Sequence, residues 1–170
     1  MSPEAARLGT GAGLVLAAFA LLAACAAAGP GDTGDVEHPF ETLLAEAHSG
    51  LTEPRREVVR DEAGWARLWA DIHTGVTPAP ARPPVDFGRH MLIAVASGTR
   101  PSGGFAIKVR SVATRGGKLE VVVLETCPAP DAMVTMELTQ PVEVVRVPRL
   151  TQPAAFQEAR AGPCLSSPAP

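Results

Sequence analysis

Ser102 with His90 as its base, or Cys127, could do nucleophilic chemistry. A serine or cysteine hydrolase needs a base within hydrogen-bond reach of the nucleophile and a third group that orients the base. Ser102 lies in Pro101-Ser102-Gly103-Gly104, which does not spell a Gly-x-Ser-x-Gly elbow. It reads as a turn serine unless the fold carries it to His90. Cys127 would need a neighbouring base to lower its thiol pKa, and none adjoins it in sequence. The four histidines, His38, His48, His73 and His90, make no HxH, HxxxH or HExxH pair, so dedicated metal spacing is absent and no metal is expected. Asp86-Phe87-Gly88 spells the magnesium motif of kinases without the glycine loop, strand lysine or catalytic loop that give it meaning. It reads as a turn aspartate followed by a core phenylalanine. Glu125 and Asp131 flank a proline turn and could pair as acid and base, although solvated loop charges are the plainer reading. None of these groups implies a cofactor.

The three cysteines divide into Cys25 and the pair Cys127 and Cys164. Leu22-Ala23-Ala24-Cys25 closes an uncharged run from Gly11 to Ala24 that is shorter than the roughly 20 residues a spanning helix needs. The step resembles the lipobox of bacterial lipoproteins. That implies removal of residues 1–24 and a lipid-carrying Cys25. The alternative is an unlipidated signal peptide cleaved at an Ala-x-Ala site near Ala24 or Ala28. Ala26 rather than Asp follows the cysteine, which leans towards the outer membrane, facing the periplasm, if the host is Gram-negative. Either leader places the domain in an oxidising compartment. There a Cys127–Cys164 disulfide would close a loop of about 38 residues and contribute roughly 3–4 kcal/mol. Two separate thiols, or a Cys127–histidine metal site, remain the alternatives.

The formal net charge is −3, with 15 Lys and Arg against 18 Asp and Glu. Nucleic acid is excluded as a partner on that balance, because phosphate neutralisation takes clustered cations. Residues 25–38 are small and polar and read as a flexible tether. Residues 39–160 form the expected single domain and 161–170 an irregular tail.

Several elements must hold whatever site exists. Phe40 to Ala47 fits a strand or a short helix, with strand preferred, and Arg56 to Arg60 reads as a strand. Asp61 is placed as an N-cap before Trp65, Leu68, Trp69 and Ile72, which share one helical face, with Gly75 to end the helix. The two tryptophans could form a ligand platform, but at that spacing they read as core. Pro78, Pro80, Pro83 and Pro84 forbid regular structure after the helix. Met91 to Ala96 is a continuous apolar run that suits a strand covered on both faces. Phe105, Ile107 and Val109 alternate with Lys108 and Arg110, and Gly116-Gly117 signals a tight hairpin into Leu119, Val121 and Val123. Val134, Met136 and Leu138 alternate as a further strand. Val142 to Val147 is the last, its phase broken at Val144-Val145 by an expected bulge. The fold class expected is α+β, a mainly antiparallel sheet of five to seven strands with one amphipathic helix packed on it.

Two stretches carry a resemblance. Val85-Asp86-Phe87-Gly88 leads through the apolar run into Gly98-Thr99-Arg100-Pro101-Ser102-Gly103-Gly104-Phe105, and Leu138-Thr139-Gln140-Pro141-Val142 precedes the last strand. Over residues 53–149 the chain resembles the C-terminal domain of the PrcB family of protease-complex subunits. Val142 stands where that pattern has an aromatic residue, and both Cys127 and Cys164 lie outside it. The resemblance implies a lipoprotein without catalytic residues, an accessory subunit that stabilises a secreted protease complex, with a protein partner and a membrane contact through lipid alone. Arg100, Pro101 and Ser102 are the candidate partner-binding residues. A protease inhibitor presenting this same loop, an envelope ligand-binding lipoprotein, and a hydrolase using Ser102 with His90 or Cys127 are the competing readings.

Overall fold

The structure, a computed structural model, describes residues 35–164. Cys25, the leader and most of the expected tether lie outside the described residues, as do residues 165–170. Strands β1 (Val36–Glu37), β2 (Glu41–Glu46) and β3 (Pro54–Val59) precede the helix α1 (Glu62–Ile72). Five more follow: β4 (His90–Ser97), β5 (Ala106–Arg115), β6 (Lys118–Thr126), β7 (Val142–Pro148) and β8 (Ala154–Ala161). One sheet has the order β1-β5-β6-β8 and the other β2-β7-β4-β3. The fold is therefore α+β as expected, with eight strands split between two sheets where one sheet of five to seven was expected.

The second sheet is the middle of three layers. Leu92, Ala94 and Ala96 of β4 pack with Val142 and Val144 of β7 against Trp65, Leu68, Trp69 and Ile72 of α1. Met91, Ile93 and Val95, with Val145 and Val147, pack against Ile107, Val109, Val112, Leu119, Val121 and Val123 of the first sheet. This explains why β4 is apolar without interruption: both of its faces are covered. It also relocates the bulge expected at Val144-Val145: β7 itself is regular, pairing continuously with β4 from His90↔Pro148 to Ala96↔Val142. The valines are adjacent because each face needs one.

The irregularity expected at that place lies instead on the other neighbour: the β2–β7 register shifts between Thr42, opposite Val145, and Leu44, opposite Val144, and both Leu43 and Leu44 pack on the helix-side cluster. The β5–β6 register shifts between Val109 and Ser111, which keeps Val112 on the inner face with Ile107 and Val109. Beside that bulge the Val109 N–H donates to Oε2 of buried Glu143 on β7 at 2.6 Å, and Thr42 donates to its Oε1 at 3.2 Å. One carboxylate thus ties the two sheets together.

Asp61 caps α1, accepting from the Gly64 N–H at 2.7 Å, a contact that contributes about 1 kcal/mol. Both tryptophans are core, as expected. Each needs a partner for its indole N–H once buried, and the proline-rich loop supplies them: Trp65 donates to Pro83 O and Trp69 to Pro80 O, each at 3.0 Å. Gly75 lies past the helix end with φ +82°.

Three expectations fail. Val134 to Leu138 is not a strand; the segment between β6 and β7 is irregular, and Met133, Met136 and Leu138 are exposed. Among the described residues no second layer covers them, so alternation alone gives no strand. In addition β8, to which the sequence assigned no element, pairs in parallel with β6 from Leu119↔Ala154 to Thr126↔Ala161. Val36 and Glu37, at the end of the stretch expected as a tether, pair with Thr114 and Ala113 of β5.

Candidate functional site

At one end of the two sheets, the loop from Gly98 to Phe105 meets the loop from Cys127 to Pro141. Arg100 and Thr139 exchange backbone hydrogen bonds of 2.7 and 3.0 Å. The Thr139 hydroxyl donates to Ser102 O at 2.9 Å, and the Gly103 N–H donates to Thr135 O at 3.0 Å. A Cβ on Gly103 would collide with the Thr135 hydroxyl. Gly104 holds φ +82°, and a Cβ there would sit 2.9 Å from Val134 Cγ1. The glycine pair and the Thr-x-Pro step, far apart in sequence, are therefore two halves of one contact. Pro141 continues it: its carbonyl accepts from Ser97 N at 3.0 Å, where β4 ends.

Beside this platform is a cleft of about 340 Å³ lined by Arg100, Pro101, Phe105, Glu125, Pro128 and Arg160, with the two cysteines in its wall. Arg100 donates to Glu125 and stands over the Phe105 ring, its Cζ 5.9 Å from the centroid. Cys127 and Cys164 form a disulfide with Cα atoms 5.3 Å apart. The Cys127 N–H also bonds Ala161 O at 3.1 Å, fastening the end of β8 to the end of β6. Arg160, exposed on β8, makes no ion pair among the described residues.

The expected site residues divide accordingly. Arg100 and Pro101 line the cleft, while Ser102 turns its hydroxyl to Gly103 O at 3.1 Å. His90 does not approach Ser102. It opens β4, whose far end is Ser97, a span of roughly 23 Å at about 3.3 Å per residue, and Ser102 lies beyond that end. Cys127 is a disulfide sulfur and offers no thiol. These two findings remove the geometry of a Ser102–His90 or Cys127 hydrolase. Glu125 pairs with Arg100 rather than with Asp131.

The other singled-out groups have structural partners. Asp86 accepts from the Gly88 N–H at 2.9 Å and Phe87 packs on the helix-side core. His38 Nε2 lies 2.8 Å from the Thr114 hydroxyl, His73 Nδ1 lies 2.9 Å from Trp69 O, and His48 lies 3.7 Å from Glu137. No cluster of three or more His, Cys, Asp or Glu suited to a metal occurs among the described residues. Sequence reasoning missed Phe105, Pro128 and Arg160 as cleft residues. The signal for Arg160 was faint, because β8 reads Ala-Ala-Phe-Gln-Glu-Ala-Arg-Ala, without an apolar alternation.

Residues 91–148 match the family described as PrcB C-terminal. The match supports the resemblance seen in the motifs and takes in β4 to β7 together with both loops of the platform. No curated protein and no solved structure matches the chain.

Proposed function

We propose that this PrcB-type chain is a non-catalytic lipoprotein, anchored through Cys25, that binds a partner protein and acts as the accessory, stabilising subunit of a secreted protease complex. One observation carries the reading: the family match runs through the strands whose loops build the platform and through the Arg100, Phe105 and Glu125 side of the cleft, with only the Arg160–Cys164 wall outside it. The lipobox-like Leu22-Ala23-Ala24-Cys25 supports the anchor, since a diacylglyceryl and an acyl chain together exceed the one-chain limit for stable attachment. Placement in the cell envelope follows from that anchor. For a Gram-negative host, Ala26 after Cys25 favours the outer membrane, with the domain facing the periplasm.

The inhibitor reading is weaker on geometry. An inhibitory loop must offer its arginine to a protease pocket, whereas Arg100 is bonded to Glu125 and laid over Phe105. The test of the main reading is affinity purification of the detergent-solubilised chain from its own host, with mass spectrometry of bait and eluate. A stoichiometric protease with a lipidated Cys25 is expected. A lipidated bait that brings down no protein overturns the reading in favour of a small envelope ligand in the cleft.

A further inference from the structure

The chain enters its first sheet beside the β5–β6 hairpin. Val36 pairs with Thr114 and Glu37 with Ala113, so Asp35, the first described residue, lies at the hairpin end of β5. Arg115 holds it there, bonding Glu120 and Glu37 at 2.8 Å each and Asp35 at 3.2 Å. The platform lies at the other end of β5, roughly 30 Å away at about 3.3 Å per residue of strand.

At that far pole Met133 is fully exposed, Met136 is 91% exposed and Leu138 is 63% exposed. The backbone bonds at Thr135 and Thr139 hold this segment in place, so the side chains are presented by a fixed loop. Exposed apolar groups gathered in one place mark interaction surfaces, and methionine adapts well to a partner. The adjoining cleft holds one occupied cation, Arg100, and one exposed cation, Arg160, with no carboxylate partner among the described residues.

We infer that this pole, at the opposite end of β5 from Asp35, is a protein-docking surface. Its occupant is a partner protein that lays an apolar patch on Met133, Met136 and Leu138 and sets a carboxylate against Arg160. That the occupant is a protein rests on the accessory-subunit reading proposed above. Arg160 supplies the charge preference, because a cation at the mouth of an apolar cleft is satisfied by an acidic contact.

The test places a photo-crosslinking benzophenone residue at Met136, or at Lys118 as the hairpin-pole control, in the full chain expressed in its own host. Lipidation of Cys25 is read by mass on the same bait. Met136 is expected to give an adduct with a different protein that Lys118 does not give. Arg160→Glu is expected to cut its yield at least tenfold with the thermal midpoint unchanged, and exchanging an acidic residue of the cross-linked partner segment for arginine should restore it. An adduct to lipid, to a second copy, or to residues 165–170 of the same chain overturns the inference. So do equal yields from Lys118, indifference to Arg160→Glu, and the absence of any adduct. A partner that is not a protease leaves the docking surface standing and overturns the accessory-subunit reading. An unlipidated Cys25 overturns the proposed anchor and leaves the docking surface standing.

Discussion

Met91 to Ala96 and Val134 to Leu138 are both apolar-rich stretches, and the fold treats them oppositely. Every residue of the first is buried, because β4 has α1 on one face and the first sheet on the other. The second alternates as a half-buried strand should, yet it forms no strand and shows Met136 and Leu138 to solvent. A period-2 pattern states which residues could share a face; whether that face is buried depends on a second layer arriving to cover it. Where no layer arrives, the same pattern becomes a surface.

The sharpest way to break the contrast is in the covered region. Trp65 is wholly buried between the helix and β4, and Trp65→Ala should cost about 3–5 kcal/mol, read as a lowered midpoint in urea unfolding. Next comes the bond behind the platform. The double variant Cys127→Ser, Cys164→Ser should lose about 2–5 kcal/mol, and hydrogen exchange should quicken at the Thr126 end of β6 and the Ala161 end of β8 before it does in β4. A smaller effect is expected at Gly104, where alanine must take up φ +82° and push on Val134. Gly104→Ala should cost about 1–2 kcal/mol, with chemical-shift changes confined to the two platform loops. Met136→Ser should leave the unfolding midpoint where it is, since the side chain has no packing to lose; a marked drop would mean that the loop is covered after all.

Legibility follows the same division. The capped helix, the central strand and the glycine hairpin were readable because each is written in local residues: Asp61 with Trp65 to Ile72, Met91 to Ala96, and Gly116-Gly117. What escaped depends on distant partners. β8 exists because β6 offers it an edge some 35 residues back, and its own small and charged side chains carry little strand signal. Glu143 reads as an outward strand residue until the β5 bulge brings the Val109 N–H to it. Of the site, Arg100 and Pro101 were visible through the glycine-rich loop, and the cysteine pair through its spacing. Arg160 and Phe105 join them only once the two sheet ends are brought together.

The tryptophans of α1 have a practical corollary. The chain has two tryptophans and no tyrosine, and both indoles sit on one helix, edge to face with centroids 5.1 Å apart and hydrogen-bonded to the proline loop. Its intrinsic fluorescence is therefore the optical signature of a single layer. Far-ultraviolet circular dichroism, by contrast, also reports the eight strands of the described residues. Recorded together during melting, the two signals separate detachment of the helix from collapse of the sheets, with no label introduced anywhere in the protein.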